Sequence, residues 1–121
     1  MTDTNNTVTF DDIHQASLRL IGKVNRTPLL ESARLNQWLG QRILFKTECL
    51  QTTGAFKLRG ATNFIASLQE QGNIPRHIVA NSSGNHAQAV AYAASQAGIP
   101  VTIYSQENNS QVKTEGKQGH G

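Results

Sequence analysis

Thr53-Gly54-Ala55-Phe56-Lys57-Leu58-Arg59-Gly60-Ala61 is the first stretch whose residue types could do chemistry. A helix begins near Ala55 to Lys57, which puts Lys57 in its opening turn. The helix dipole is positive there, so a lysine is electrostatically misplaced. Arg59 adds positive field, and Phe56 supplies apolar cover. A positive field favours the neutral amine, the form that attacks a carbonyl. These are the conditions a Schiff-base lysine needs. The other reading of the same segment is a solvated surface lysine. Asn81-Ser82-Ser83-Gly84-Asn85-His86 is the second stretch. Small residues at a helix start let backbone N–H groups converge on an anion, and two hydroxyls and an amide add directed hydrogen bonds. The plainer reading is a capping turn with Ser82 or Ser83 as N-cap.

Both segments need elements to hold them. Ile13, Ala16, Leu20 and Val24 recur at helical spacing, which predicts a helix near 11–23. Phe10-Asp11-Asp12 offers its cap and an apolar staple. Thr27-Pro28 breaks it, because the residue before proline leaves the helical region. Leu29-Leu30 reads as a short strand, and 32–39 as a short helix closed by Gly40. Ile43-Leu44-Phe45-Lys46 is a strand entering the polar turn Gln51-Thr52-Thr53-Gly54. Leu58, Ala61, Ile65 and Leu68 give the lysine-bearing helix one apolar stripe, and Gly72 and Pro75 stop it. His77-Ile78-Val79-Ala80 and Val101-Thr102-Ile103-Tyr104 are further strands. Between them Ala87, Val90, Ala91 and Ala94 share a helix face, and Gly98 closes that helix.

This alternation predicts an α/β fold, a partial three-layer parallel sheet with flanking helices. Three strands would run parallel, with both long helices against the sheet. Ligands in such sheets sit at the carboxyl ends of strands, and loops 51–57 and 81–86 are expected at that end. Residues 1–9 read as a disordered N-terminus and 10–104 as the α/β segment. Residues 105–121 hold one strong apolar residue, Val112, and read as a disordered, truncated tail. A three-strand parallel sheet with both edges open is not expected to stand alone, so the chain reads as the start of a larger protein.

Composition narrows the function classes. The chain has 121 residues, 37% hydrophobic and 16% charged, with a formal charge of +3. It has no apolar run long enough to span a bilayer and no opening signal-peptide pattern, so no membrane partner and a cytoplasmic location are expected. The basic residues are scattered without interleaved aromatics, so no nucleic-acid partner is expected. Cys49 is the only cysteine. It reads as a small buried apolar residue in a reducing compartment, since no histidine adjoins it. His14, His77, His86 and His120 are too far apart to pair as ligands on one helical face, so no metal is expected.

The two segments together resemble the tryptophan-synthase-β-like, fold type II pyridoxal-phosphate enzymes, in the threonine/serine dehydratase and serine racemase subgroup. Phe10-Asp11-Asp12-Ile13, Arg26-Thr27-Pro28-Leu29, Phe45-Lys46-Thr47-Glu48, Leu50-Gln51 and Ala97-Gly98-Ile99-Pro100 carry the resemblance further, over about residues 10–113. It implies the cofactor pyridoxal 5'-phosphate and specific roles. Lys57 matches the catalytic lysine that binds the cofactor as a Schiff base, and Phe56 its neighbour flanking the cofactor ring. Asn85 matches the residue bonded to the cofactor's 3′-oxygen. Ser82, Ser83, Gly84, Asn85 and His86 match the loop that receives the substrate carboxylate. Ser83 also matches the second proton-transfer group of the racemases. The implied reaction is α,β-elimination on L-threonine or L-serine, giving a 2-oxoacid and ammonia. Serine racemisation and a non-catalytic fragment are the alternatives. The family suggests a homo-oligomer. Its glycine-rich cofactor-phosphate loop has no counterpart in this sequence, so the chain is expected to be inactive alone.

Overall fold

The structure is a computed structural model that describes residues 7–105. The disorder expected at 1–6 and 106–121 lies outside the described residues. Helix α1 spans Phe10–Leu20 and is capped by Thr9, not by Asp11 or Asp12. Thr9 Oγ1 accepts from the Asp12 amide at 3.3 Å, while the Asp12 carboxylate accepts from the Thr9 amide at 2.8 Å. That reciprocal box satisfies two orphan donors at once. The apolar stripe of α1 is only partly covered: Ala16, Leu20 and Val24 are half-buried, and Ile13 is 59% exposed.

Strand β1 (Leu29–Glu31) is followed by α2 (Ala33–Leu39) and β2 (Leu44–Lys46). Ser32 caps α2 through its hydroxyl, and Gly40 closes it. A 3-10 turn over Glu48–Leu50 leads to α3 (Lys57–Glu70). Then come β3 (Ile78–Asn81), α4 (Asn85–Gln96) and β4 (Val101–Tyr104). Gly98 has φ +68, a left-handed backbone that glycine adopts without strain, and it ends α4 where the sequence places the stop.

The α/β class holds, but the strands divide differently from the expected single sheet. Among the described residues only β3 and β4 pair in parallel, from Ile78 opposite Val101 to Asn81 opposite Tyr104. Strand β2 instead pairs antiparallel with β1, Leu29 opposite Lys46. Local patterning marks a strand but carries no information about its partner, so the expected third parallel strand lies elsewhere. The helices also differ from expectation. Helix α4 lies on β3 and β4, whereas α3 packs chiefly on α4 and α1. The alanines of α4 permit that close approach: Ala89, Ala93 and Ala94 join Leu58, Ile65 and Ile99 in the core. Arg19 of α1 bonds Glu70 of α3 at 2.7 Å.

Candidate active site

Helices α3 and α4 pack on each other. Their C-terminal halves meet around a cleft of about 240 Å³ lined by Thr62, Ile65, Ala66 and Gln69 from α3 and Tyr92, Ala93 and Gln96 from α4. Near their starts, Gly60 and Ala61 share an apolar cleft of about 370 Å³ with His86 and Ala80. The start of α4 follows the carboxyl end of β3. The structure places Lys57 at the first position of α3 and Asn85 and His86 in the first turn of α4.

Lys57 and Phe56 are exposed there, and Lys57 Nζ lies 5.0 Å from the centroid of the Phe56 ring. Gly54 bends the chain just before them with φ +71. A side chain at that φ would be strained, so the turn needs glycine. Arg59 does not act as expected. Its guanidinium grips Glu48 with two nitrogens, Nε to Oε2 at 2.9 Å and Nη2 to Oε1 at 2.7 Å. The positive charge assigned to the field at Lys57 is thus neutralised by its partner.

Glu48 is the residue that sequence reasoning missed. It also accepts from the Thr27 hydroxyl and, at 3.5 Å, from Gln51 Nε2. The Arg59 fork holds its carboxyl at about 2, well below an ordinary 4.5. Buried Gln51 accepts from the Asn25 amide at 2.8 Å and donates to the Asn25 carbonyl at 3.0 Å. Arg59 Nη2 donates to the same carbonyl at 3.2 Å. Three stretches that carry the family resemblance, around Thr27, Glu48 and Gln51, thus meet at one carboxylate. The opposite charges at 48 and 59 are the only trace of this in the sequence. Thr53 is buried, and its hydroxyl has no hydrogen-bond partner among the described residues. Cys49, expected to be buried, is exposed, because the 3-10 turn directs Glu48 rather than its neighbour inward.

The start of α4 is different. Gly84, not Ser82 or Ser83, is the N-cap, and no side chain caps the helix. Ser82 Oγ accepts from the Gly84 amide at 3.3 Å. Among the described residues, the amides of Ser83, Asn85 and His86 and the Asn85 side chain make no hydrogen bond. Ser83, Asn85 and His86 are exposed, while Ser82 and Gly84 are half-buried. Unbonded donors at a positive helix end suit an anion. No group of three or more metal-ligating side chains occurs among the described residues.

An exposed primary amine thus opens α3, and amides without a partner among the described residues open α4. The sequence model of the pyridoxal-phosphate dependent enzymes matches residues 20–121, and the chain belongs to that family. The match continues past residue 113, where the motif resemblance stops. L-threo-3-hydroxyaspartate ammonia-lyase of Saccharomyces cerevisiae is 42% identical over 113 residues, which are 93% of this chain and 34% of that protein. Maize serine racemase superposes with a TM-score of 0.84 at 40% identity, over 92% of this chain and 33% of the other. A solved threonine deaminase gives a TM-score of 0.80 at 38% identity, over 93% and 35%. The chain therefore spans about a third of the length of these relatives.

Pyridoxal phosphate is the cofactor of this family and of its relatives. The donor set present fits part of it. Lys57 offers the amine for the aldehyde, and Asn85 and the α4 amides offer donors for oxygen. Among the described residues no glycine-rich run of the phosphate-cradling kind occurs.

Proposed function

We propose that this chain supplies the lysine and the carboxylate-binding loop of an enzyme that eliminates water from L-threonine or L-serine, yielding a 2-oxoacid and ammonia. The observation that carries this reading is that Lys57 opens α3 and unbonded amides open α4, two helices that line one cleft through Gly60, Ala61 and His86. Bound pyridoxal phosphate supplies the electron sink that stabilises negative charge at the substrate Cα. The residues of the chain do the rest. Backbone amides of Ser83, Asn85 and His86 hold the substrate carboxylate, with the half-buried Ser82 and Gly84 shaping the turn. The Asn85 side-chain amide would hold the 3′-oxygen of the cofactor, and Phe56 would flank its ring. The Lys57 amine takes the Cα proton, the β-hydroxyl leaves, and the released enamine hydrolyses to the 2-oxoacid and ammonia.

Racemisation of serine is an equally supported second reading. The exposed Ser83 hydroxyl favours it, since a proton donor across from Lys57 would return the proton with inverted geometry. Serine racemases also stand among the relatives.

The test is covalent trapping. Pyridoxal phosphate is added to the chain, borohydride fixes the adduct, and peptide mass mapping locates it. Lys57 is expected to carry most of the label, and Lys57→Ala to remove it. Label spread evenly over the lysines would refute the assignment. In a longer chain bearing these residues, release of 2-oxobutanoate from L-threonine against D-serine formation from L-serine separates the two reactions.

A further inference from the structure

We propose that Glu48 is a positioning residue for Lys57, fixing the tilt and rotation of the first turn of α3 through the Arg59 fork. The inference rests on the functional reading of Lys57 given above. Its basis is how α3 begins. Phe56, the N-cap, has helical backbone angles and makes no side-chain cap bond. A helix start without a cap is usually free to fray. Here the place of a cap is taken by a side chain inside the helix. Arg59 stands two residues after Lys57, its own amide bonded to the Phe56 carbonyl at 3.0 Å.

Two parallel N–H···O bonds fix a direction as well as a distance, which a single contact does not. The far side of that fork is itself anchored. Glu48 is held by Thr27 and Gln51, and Gln51 is held by both backbone groups of Asn25 and by the Thr52 amide at 3.2 Å. Leu58, wholly buried, pins a second face of the same turn. Lys57 therefore projects from a turn clamped on two sides, although its own side chain is exposed. Small displacements of a reacting group cost large factors in rate, so such a clamp serves an amine that must meet a bound carbonyl.

The experiment reads where the label lands rather than how much enzyme activity survives. Wild type, Glu48→Gln, Glu48→Asp and Thr27→Val are treated with pyridoxal phosphate and borohydride at a temperature where circular dichroism shows each folded. The ratio of label on Lys57 to label on Lys23 is measured by mass spectrometry. Loss of stability alone leaves that ratio unchanged in the folded chains. Glu48→Gln is expected to lower it about fivefold or more, and Thr27→Val, which removes one arm, about twofold. Glu48→Asp keeps the charge but is one methylene too short for the fork, and a drop is expected there too. An unchanged ratio in folded Glu48→Gln overturns the proposal. So does a wild-type ratio in Glu48→Asp, which would make the effect one of charge rather than position. If Glu48→Gln does not fold, Thr27→Val decides, and an unchanged ratio there overturns the proposal as well. A wild type with no preference for Lys57 is a separate failure, because it refutes the functional reading itself.

Discussion

The two helix starts at the functional end are built on opposite plans. The start of α3 has no side-chain cap, yet it is tied by the Arg59 fork to Glu48 and through it to residues 25–27 and 51. The start of α4 also lacks a side-chain cap; backbone bonds hold it, from the Ser82 amide to the Tyr104 carbonyl and from the Ala87 amide to the Gly84 carbonyl, each at 3.0 Å, and its one side-chain tie among the described residues is the long bond from the Gly84 amide to Ser82. Under the proposed function the first carries a group that must be aimed, and the second carries donors that must stay open for a ligand. Satisfying those donors internally would then remove the anion site, and leaving the lysine turn loose would remove its aim. The comparison teaches that equal exposure, as at Lys57 and Asn85, hides unequal preorganisation.

Breaking the tied side should have the largest effect. Glu48→Gln leaves half-buried Arg59 without its countercharge and should cost about 2 kcal/mol, less than breaking a fully buried pair because both side chains keep some contact with water. Thermal melts check this. The same pair sets a pH window. Folding lowers the Glu48 carboxyl from 4.5 to about 2. The folded state thus binds fewer protons, so this contribution is complete above about 4.5 and disappears as pH falls toward about 2. Acid titration should show wild type losing stability in that window relative to Glu48→Gln. Parallel curves would break the account. Asp12 and Glu31 are also held below their ordinary range, Asp12 by Thr9 and Glu31 by Arg42, but both are unchanged in the variant and cancel in the comparison.

A smaller effect of opposite sign is expected beside the lysine. Thr53 buries a hydroxyl that has no partner among the described residues, and an unsatisfied buried polar group is unfavourable. Thr53→Val should stabilise the chain by about 1 kcal/mol in denaturant titration. A loss of stability would mean that this hydroxyl is satisfied. The open side should respond least. Ser82→Ala removes one long bond at a helix start that the serine does not cap, and a change within about 0.5 kcal/mol is expected by the same titration. A cost comparable to that of Glu48→Gln would erase the contrast between the two starts.

Helix positions are legible because their signals are local. Leu58 and Ile65 recur at helical spacing and are buried, as are Ala87, Val90, Ala91 and Ala94, and Gly98 stops α4 as read. Even there the pattern has a limit. The stripe of α1 has the helical period, but no α1 residue is buried. Periodicity shows that a face is apolar, not that anything covers it.

The sequence by itself located the two segments on which the proposed function rests: one lysine after a glycine turn, and a small-residue loop opening the next long helix. Both depend on neighbours within a few positions, where spacing dictates geometry. Tertiary structure decided the rest. It paired β2 with β1 instead of β3, and it turned Arg59 from a source of field at Lys57 into the clamp that holds Glu48. Residues 25, 27, 48, 51 and 59 meet only once loops of different lengths have closed, and no local period records which side chains that closure brings together.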